Sequence, residues 1–487
     1  ANTEAIEVFE EVLKLTDTHQ ADTLYLGRLY RKMGDAYLGL GKLAEAKQYI
    51  VKAMATLGLP LPSSDLGLVG GVLKHVSRQT GHRLWPSRYL GKELDPKEEE
   101  IRLETVILTE KLAVVQFLNG DPNPLPMLFG VVAGLNIGET MKTTPETWSI
   151  YATMSAVADF IPLHSQGKYY KDRWFALGKT IDAPNAFVDG VLALCTVASG
   201  NGEWQEVKDL VEKASAICEE LGDHRRNAEA VAYLCANTLM EGGPRLSEPY
   251  NKREWEIAMR RENPIHIAFA YQVDCSAAVW KGEYDECIAN AKKCLALSEK
   301  SWVGEIPEYI VRSSMWLAQW SKGEREGVWD AVKAALDKFS KASAVDFSAH
   351  LIDAHLAETV FLALEDGKRN ALPKAQMAEI EKYAQIAIKN IKKSSAIFSI
   401  GVPALNRFMG SLEWHHNKPE KAYQLWRAAA EKAHAFPMKY EEARAYLDLG
   451  RHLPKGNVER STALEKAKAL FSECGLDNWV AKAQVEG

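Results

Sequence analysis

The side chains able to do chemistry fall into a few groups, and their spacing decides what each group can do. Cys287 and Cys294 stand seven residues apart, two turns of a helix, so they share one face. A zinc site asks for about four ligands at other spacings, and the pair reads instead as two small buried packing residues. His350 and His355 are five residues apart, off the step that aims two histidines of one helix at a zinc ion. His415 and His416 adjoin at a predicted helix end, where imidazole can meet the last carbonyls. Glu98 to Glu100 and Glu441-Glu442 open predicted helices, where negative charge favours the dipole, and they read as solvated helix starts rather than acid-base pairs. Gly41-Lys42 runs into Leu43 and Gly367-Lys368 into Arg369, and neither is preceded by the spaced glycine of a phosphate-binding loop. The residues therefore predict no catalytic, cofactor-binding or metal-ligating site, no cofactor, and no enzyme within this chain.

What could position such residues is a repeat, which must be tested before any other fold. Between Gly27 and Gly58, Tyr30, Met33, Gly34 and Tyr37 recur at helical spacing, Gly41 breaks the chain, and Ala46, Ile50 and Ala53 mark a second helix. These are the signature positions of a tetratricopeptide-like hairpin. Gly34 and Ala46 let two antiparallel helices approach, while Tyr37 and Ile50 fill the space between hairpins. Similar breaks occur around Gly202, Gly282 and Gly323; the steps are 161 residues from Gly41 to Gly202, then 80 and then 41. They lie near multiples of about forty, longer than the roughly 34 residues of the standard repeat, so each helix should be about a turn longer. A late hairpin places Gly410 on one helix and Ala422, Trp426 and Ala429 on the next. Another starts near Tyr440, and ten to twelve hairpins would account for the chain. Alternating Val, Ile and Thr runs with hairpin turns do not occur. The expected fold is all-α: a tetratricopeptide-like helical-hairpin solenoid wound as a right-handed superhelix.

Three regions follow: N-terminal hairpins over 1–58, an irregular insertion over 59–96, and a main array over 97–487 whose last unit spans about 440–487. The insertion is expected from the prolines and glycines of LPLPSSDLGLVGG, and it ends in a helix start at Pro96-Lys97-Glu98. Gly242 to Asn251 reads as a proline-containing loop and Gly367 to Pro373 as a shorter one. Projecting the hairpin pattern gives a concave lining of Arg28, Arg31, Asp35, Gln272, Ser276, Trp320, Arg407, Trp414 and His415. Arginine and tryptophan are frequent binding anchors. Of the 13 tryptophans, most should pack between helices; Trp320 and Trp414 should face the inner surface.

The totals narrow the partners. With 59 basic and 65 acidic residues the net charge is -6, without the basic excess that phosphate contacts demand, so nucleic acid is not expected. Seven scattered cysteines fit reduced thiols and a cytoplasmic setting. No basic-apolar leader opens the chain, and the apolar stretches Leu66 to Leu73 and Met127 to Ile137 are too short to span a bilayer. Residues Ala1 to Asp17 read as an amphipathic helix, the second of a hairpin lacking its first, so the chain is expected to be a piece of something longer. The predicted partner is a protein or peptide segment, other domains of the same polypeptide included, with no direct membrane insertion; a homo-oligomer is compatible.

The stretch Arg28 to Pro62, closing in a Leu-Gly-Leu-Pro sequence, and GHRLWPSR (Gly81 to Arg88) resemble the helical-repeat region that follows the ATPase module in large signalling proteins. Those include soluble-type class III adenylyl cyclases and kinase-linked ATPases. ALEKAKALFSECGLDNWVAKA (Ala463 to Ala483) is similar to the closing unit of the same arrays and of the maltose-regulon activator type. The resemblance implies a regulatory scaffold attached to a catalytic module, or an effector-sensing domain of a signal-transduction regulator. The cyclase and ATPase segments themselves are not in this sequence.

Overall fold

The computed structural model describes residues 2–16, 21–119, 123–161, 163–341 and 346–486. The expectations that rest on Ala1 and Asp17 lie outside them. Helices make up 83% of the structure with no strand among the described residues, so the all-α solenoid stands. The chain divides into two compact units, Ala1–Leu194 and Cys195–Gly487, a division that coincides with none of the three regions expected from sequence.

Unit 1 holds α1 (Asn2–Leu15), α2 (Thr23–Gly39), α3 (Leu43–Thr56), α4 (Asp65–Leu84) and the single turn α5 (Pro86–Tyr89). It continues with α6 (Pro96–Asn119), α7 (Leu125–Thr140), α8 (Pro145–Phe160) and α9 (His164–Leu177). The α2–α3 hairpin forms as its pattern requires. Asp22 caps α2 by accepting from the Leu24 and Tyr25 amides at 2.9 and 3.2 Å, satisfying donors that a helix start leaves free. A β-carbon on Gly34 would stand 3.0 Å from Ile50 Cγ1, so the missing side chain is what lets α3 seat against α2. Tyr30, Met33, Ala46, Ile50 and Met54 then share one buried core with Leu108, Leu112 and Val115 of α6.

The segment read as an irregular insertion is helical over α4. Ser64 accepts from the Gly67 amide at 3.2 Å and starts it. Its glycines, which suggest a break in the sequence, sit within the helix because α7 holds the inner face: a β-carbon on Gly71 would meet the Phe129 ring at 2.7 Å. His75 packs edge-on against the same ring.

The helix α10 (Pro184–Gly200) runs across the boundary between the units. Unit 2 continues with α11 (Trp204–Leu221), α12 (His224–Gly242), α13 (Pro244–Arg261), α14 (Pro264–Lys281), α15 (Tyr284–Ser298), α16 (Glu305–Lys322) and α17 (Val328–Lys341). Then come α18 (Ala349–Arg369), α19 (Lys374–Ser395), α20 (Val402–His415), α21 (Pro419–Ala435), α22 (Lys439–His452), α23 (Val458–Cys474) and α24 (Asp477–Glu486). The expected breaks at Gly202, Gly282 and Gly323 all have left-handed φ, 75°, 80° and 90°, which glycine adopts without a side-chain clash. Gly242 to Asn251 is not the expected loop. Gly243 alone, at φ 74°, makes the turn; Pro244 supplies the preset first helical residue, and Pro249 lies inside α13.

Solenoid hairpins ordinarily touch only their neighbours, but the last helices of unit 2 close onto its early ones. The Tyr440 ring at the start of α22 stacks on Trp280 at the end of α14, with centroids 4.0 Å apart and planes at 12°. Trp479 Nε1 and Asn478 Nδ2 of α24 donate to the Trp280 carbonyl at 2.8 and 3.2 Å. Arg245 of α13 donates to the Ser472 carbonyl at 2.8 Å. Side chains of α18, α20 and α22 fill the interior so enclosed.

Candidate functional site

That interior is built around one carboxylate. Glu358, on α18, accepts from Arg444 Nη2 at 2.6 Å through one oxygen and from Arg407 Nη2 at 3.1 Å through the other. Burial alone would raise its pKa, but the two guanidiniums outweigh it and hold the group down at about 2. Arg407 of α20 also lies 3.5 Å from Glu441 and 3.7 Å from Asp448 of α22. Arg444 donates to the Tyr440 hydroxyl at 2.8 Å and lays its guanidinium 4.2 Å over the Trp479 ring. Arg451, at the edge, pairs with Asp448 at 3.3 Å and Glu365 at 3.0 Å. Buried charge is tolerated when it is paired in this way, and the pairs tie three helices together.

Beside the cluster is a cavity whose polar wall is His350, His355, Glu358, Arg407, Tyr440 and Glu441 and whose apolar wall includes Met240, Trp280, Leu317 and Met438. Its free space of about 20 Å³ suits a water-sized group, which takes about 10–15 Å³. His350 Nδ1, His355 Nε2 and Glu441 Oε2 have no hydrogen-bond partner among the described residues. Burial pushes both imidazoles down, His355 to about 3 with help from His350, so both are neutral at physiological pH.

One arrangement at His355 resembles a nucleophile with its base. Ser314 and Ser313 Oγ lie 3.2 and 3.4 Å from His355 Nδ1. Both hydroxyls, however, donate to the Ile310 carbonyl at 2.8 and 3.0 Å. Both serines are fully buried, and among the described residues no carboxylate orients the other imidazole nitrogen, as the third member of such a triad would. Among the described residues no group of three or more His, Cys, Asp or Glu side chains could hold a metal ion. All seven cysteines are buried; Cys287 and Cys294 lie in the core, and burial pushes the Cys294 thiol up to about 12.

Of the nine residues projected onto a concave lining, three lie in unit 1 and six in unit 2. Arg28, Arg31 and Asp35 lie in unit 1 and face α6: Arg28 pairs with Glu100 at 2.9 Å, Arg31 with Glu104, and Asp35 with Lys111 at 2.6 Å. Gln272 and Ser276 are buried on α14. Trp320 is buried and donates to Asp366 at 3.2 Å. Trp414 packs 4.4 Å from the His452 ring, and the His415 carbonyl accepts from Lys368 at 3.4 Å. Of the nine, only Arg407 lines the cavity. Glu441, read as part of a solvated helix start, is 5% exposed, because Arg407 supplies its counter-charge. His350 and His355, set aside as misaligned for a metal, both line the cavity. His416 pairs with Glu381 at 2.7 Å rather than with its own helix end.

Unit 1 has a second buried polar constellation that the sequence reading missed. Glu139 of α7 accepts from Gln79 at 2.8 Å and from the Tyr151 hydroxyl at 2.7 Å, and lies 2.7 Å from His82 Nδ1. Gln79 also donates to Asn136 at 3.1 Å. The signal was present: Asn136 and Glu139 are isolated polar residues at the end of the apolar run that begins at Leu125. The constellation clamps the inner face of α4 to α7.

Among the described residues no helix is long and apolar enough to cross a membrane. No protein-family model matches the chain. Among solved structures it shows a likeness to a circular tandem repeat protein with novel repeat topology and enhanced subunit contact surfaces. That protein is 12% identical over 100% of this chain and 95% of its own, with a TM-score of 0.15, an agreement too low to carry any argument.

Proposed function

We propose that the chain is a non-catalytic protein-interaction and regulatory scaffold within a larger signalling protein, of the kind in which a helical-repeat array adjoins an adenylyl cyclase or kinase-linked ATPase. The observation that carries the reading is the interior of unit 2. Its charged side chains pair with one another across α18, α20 and α22 and fix the packing of those helices, rather than converging on a cleft where a substrate could react. The Leu-Gly-Leu-Pro hairpin end and the closing Ala463 to Ala483 unit support the attachment to a signalling ATPase. A cytoplasmic setting agrees with the odd and sparse set of seven cysteines. The test is calorimetric titration of the chain with each separately purified domain that adjoins it in the full-length polypeptide. Micromolar binding to at least one is expected, and absence of heat with every one overturns the reading.

A second reading, a small-molecule effector sensor, is favoured by the cavity's aromatic wall of Trp280 and Tyr440 and by the imidazole nitrogens of His350 and His355 that have no hydrogen-bond partner among the described residues. A metabolite would have to part the hairpins to enter a space of that size. Sugars and nucleotides at micromolar concentration should therefore leave the thermal transition unmoved; a saturable rise with any of them favours the sensor.

A further inference from the structure

The face of α4 turned away from α7 carries several strongly exposed apolar side chains. Leu66 is 87% exposed, Leu73 64% and Leu84 62%, with Val69 and Val76 at 41% and 44%. Their spacing of three, four, three and eight residues puts them on one side of the helix, a row of about 27 Å at 1.5 Å per residue. Isolated exposed apolar residues need no explanation, but a contiguous row on a soluble surface marks an interaction site.

Two further observations say what covers it. Gly70 and Ser77 lie along the edge of the row, between it and Lys74, and a β-carbon on Gly70 would meet nothing within 4 Å. Glycine inside a helix destabilises it by roughly 0.5–1 kcal/mol relative to alanine, and no packing among the described residues requires one at Gly70. What a small residue there permits is the close approach of another helix backbone. The charge is one-sided as well. From Leu66 to Lys92 the sequence contains Lys74, Arg78, Arg83, Arg88 and Lys92 and no acidic residue, in a chain of net charge -6. Lys74 and Arg78 are exposed along one flank of the row.

We infer that α4 is a docking strip for an amphipathic helix of a partner protein, whose leucine-type anchors lie along Leu66, Leu73 and Val76 and whose acidic flank meets Lys74 and Arg78. This rests on the scaffold reading and names the chemistry of its partner. A second copy of the chain is disfavoured because it would bring the same basic flank against itself. An anionic membrane gains little from the small residues between the row and Lys74, where bulky anchors would sit.

The test uses the whole chain and two synthetic peptides of about twenty residues, each with leucines at positions a and d of its heptads. One carries glutamates and the other lysines beside the leucines, and binding is read by fluorescence anisotropy at low salt. The glutamate peptide should bind and the lysine peptide should not. Leu66→Asp with Leu73→Asp should weaken the glutamate peptide at least about tenfold, a change that interface anchors commonly produce. Lys74→Glu with Arg78→Glu should reverse the peptide preference. All four side chains are exposed, so an unchanged thermal transition accompanies either pair. Equal binding of both peptides, or no effect of either double variant, overturns the inference. So does sedimentation with phosphatidylserine vesicles, or a dimer, that the leucine variants abolish while neither peptide binds. If the peptides fail but an adjoining domain still binds in calorimetry, the docking strip falls and the scaffold reading stands.

Discussion

Glu358 shows what a single buried carboxylate does when two arginines depend on it. Replacing it with glutamine leaves Arg407 and Arg444 each short of a charged acceptor in the interior. Such losses cost about 3–5 kcal/mol, and Glu358→Gln should lower the midpoint of urea unfolding accordingly. The pH dependence follows from the same groups. A carboxyl whose pKa is about 2 when folded, against an ordinary 4.5, gives stability that is complete above 4.5 and is lost as pH falls toward 2. His355, about 3 when folded against 6.5, stays neutral while the unfolded chain takes up a proton, so its effect also weakens the fold, from 6.5 downward. The difference in urea midpoint between the native chain and Glu358→Gln should therefore hold steady from pH 7 to about 4.5 and narrow below it. Little of this was legible beforehand. Arg407 stood out as an anchor, but its partner Glu358 is 49 residues away and Arg444 a further 86 from that glutamate, distances over which no helical period connects them.

Single helices and hairpins were the legible scale. Gly410 and Trp426 are 16 residues apart and announce their hairpin because a small residue must stand opposite a large one. A β-carbon on Gly410 would lie 2.7 Å from Trp426 Nε1, the atom that donates to the Arg407 carbonyl at 3.1 Å. Gly410→Val should thus destabilise unit 2 by about 1–3 kcal/mol, the usual range for overpacking, with a shift in tryptophan fluorescence as the indole moves. A lower Tm without that shift would place the effect elsewhere. The sequence misled where breakers were counted without their surroundings. Gly67, Gly70 and Gly71 suggest an irregular segment, yet Ser64 at the start and the Glu139 clamp below hold α4 helical. Likewise Pro249 stands inside α13, since Gly243 had already made the turn.

Across the whole of unit 2, the decisive contacts join residues that local pattern cannot pair. Trp479 reaches the Trp280 carbonyl over 199 residues, and its ring also carries the Arg444 guanidinium. Trp479→Ala should therefore speed hydrogen exchange at both ends of the closure, in the last turn of α14 and in α22, while leaving the α18–α19 hairpin protected. Loosening confined to α24 would show that the two ends are not coupled. Such long-range contacts form late, because a long loop must close before they reward the chain, and unit 2 should refold more slowly than an open array of similar helices. Closure has a further consequence for how this protein can vary. An open solenoid gains or loses a hairpin by simple duplication or deletion, and its ends merely move apart or together. Here an extra pair of helices between α14 and α22 would carry Tyr440 off Trp280 and separate Arg444 from Glu358. The number of hairpins in residues 195–487 is thus a fixed count, inherited whole, and change in that unit is channelled into side chains and loops.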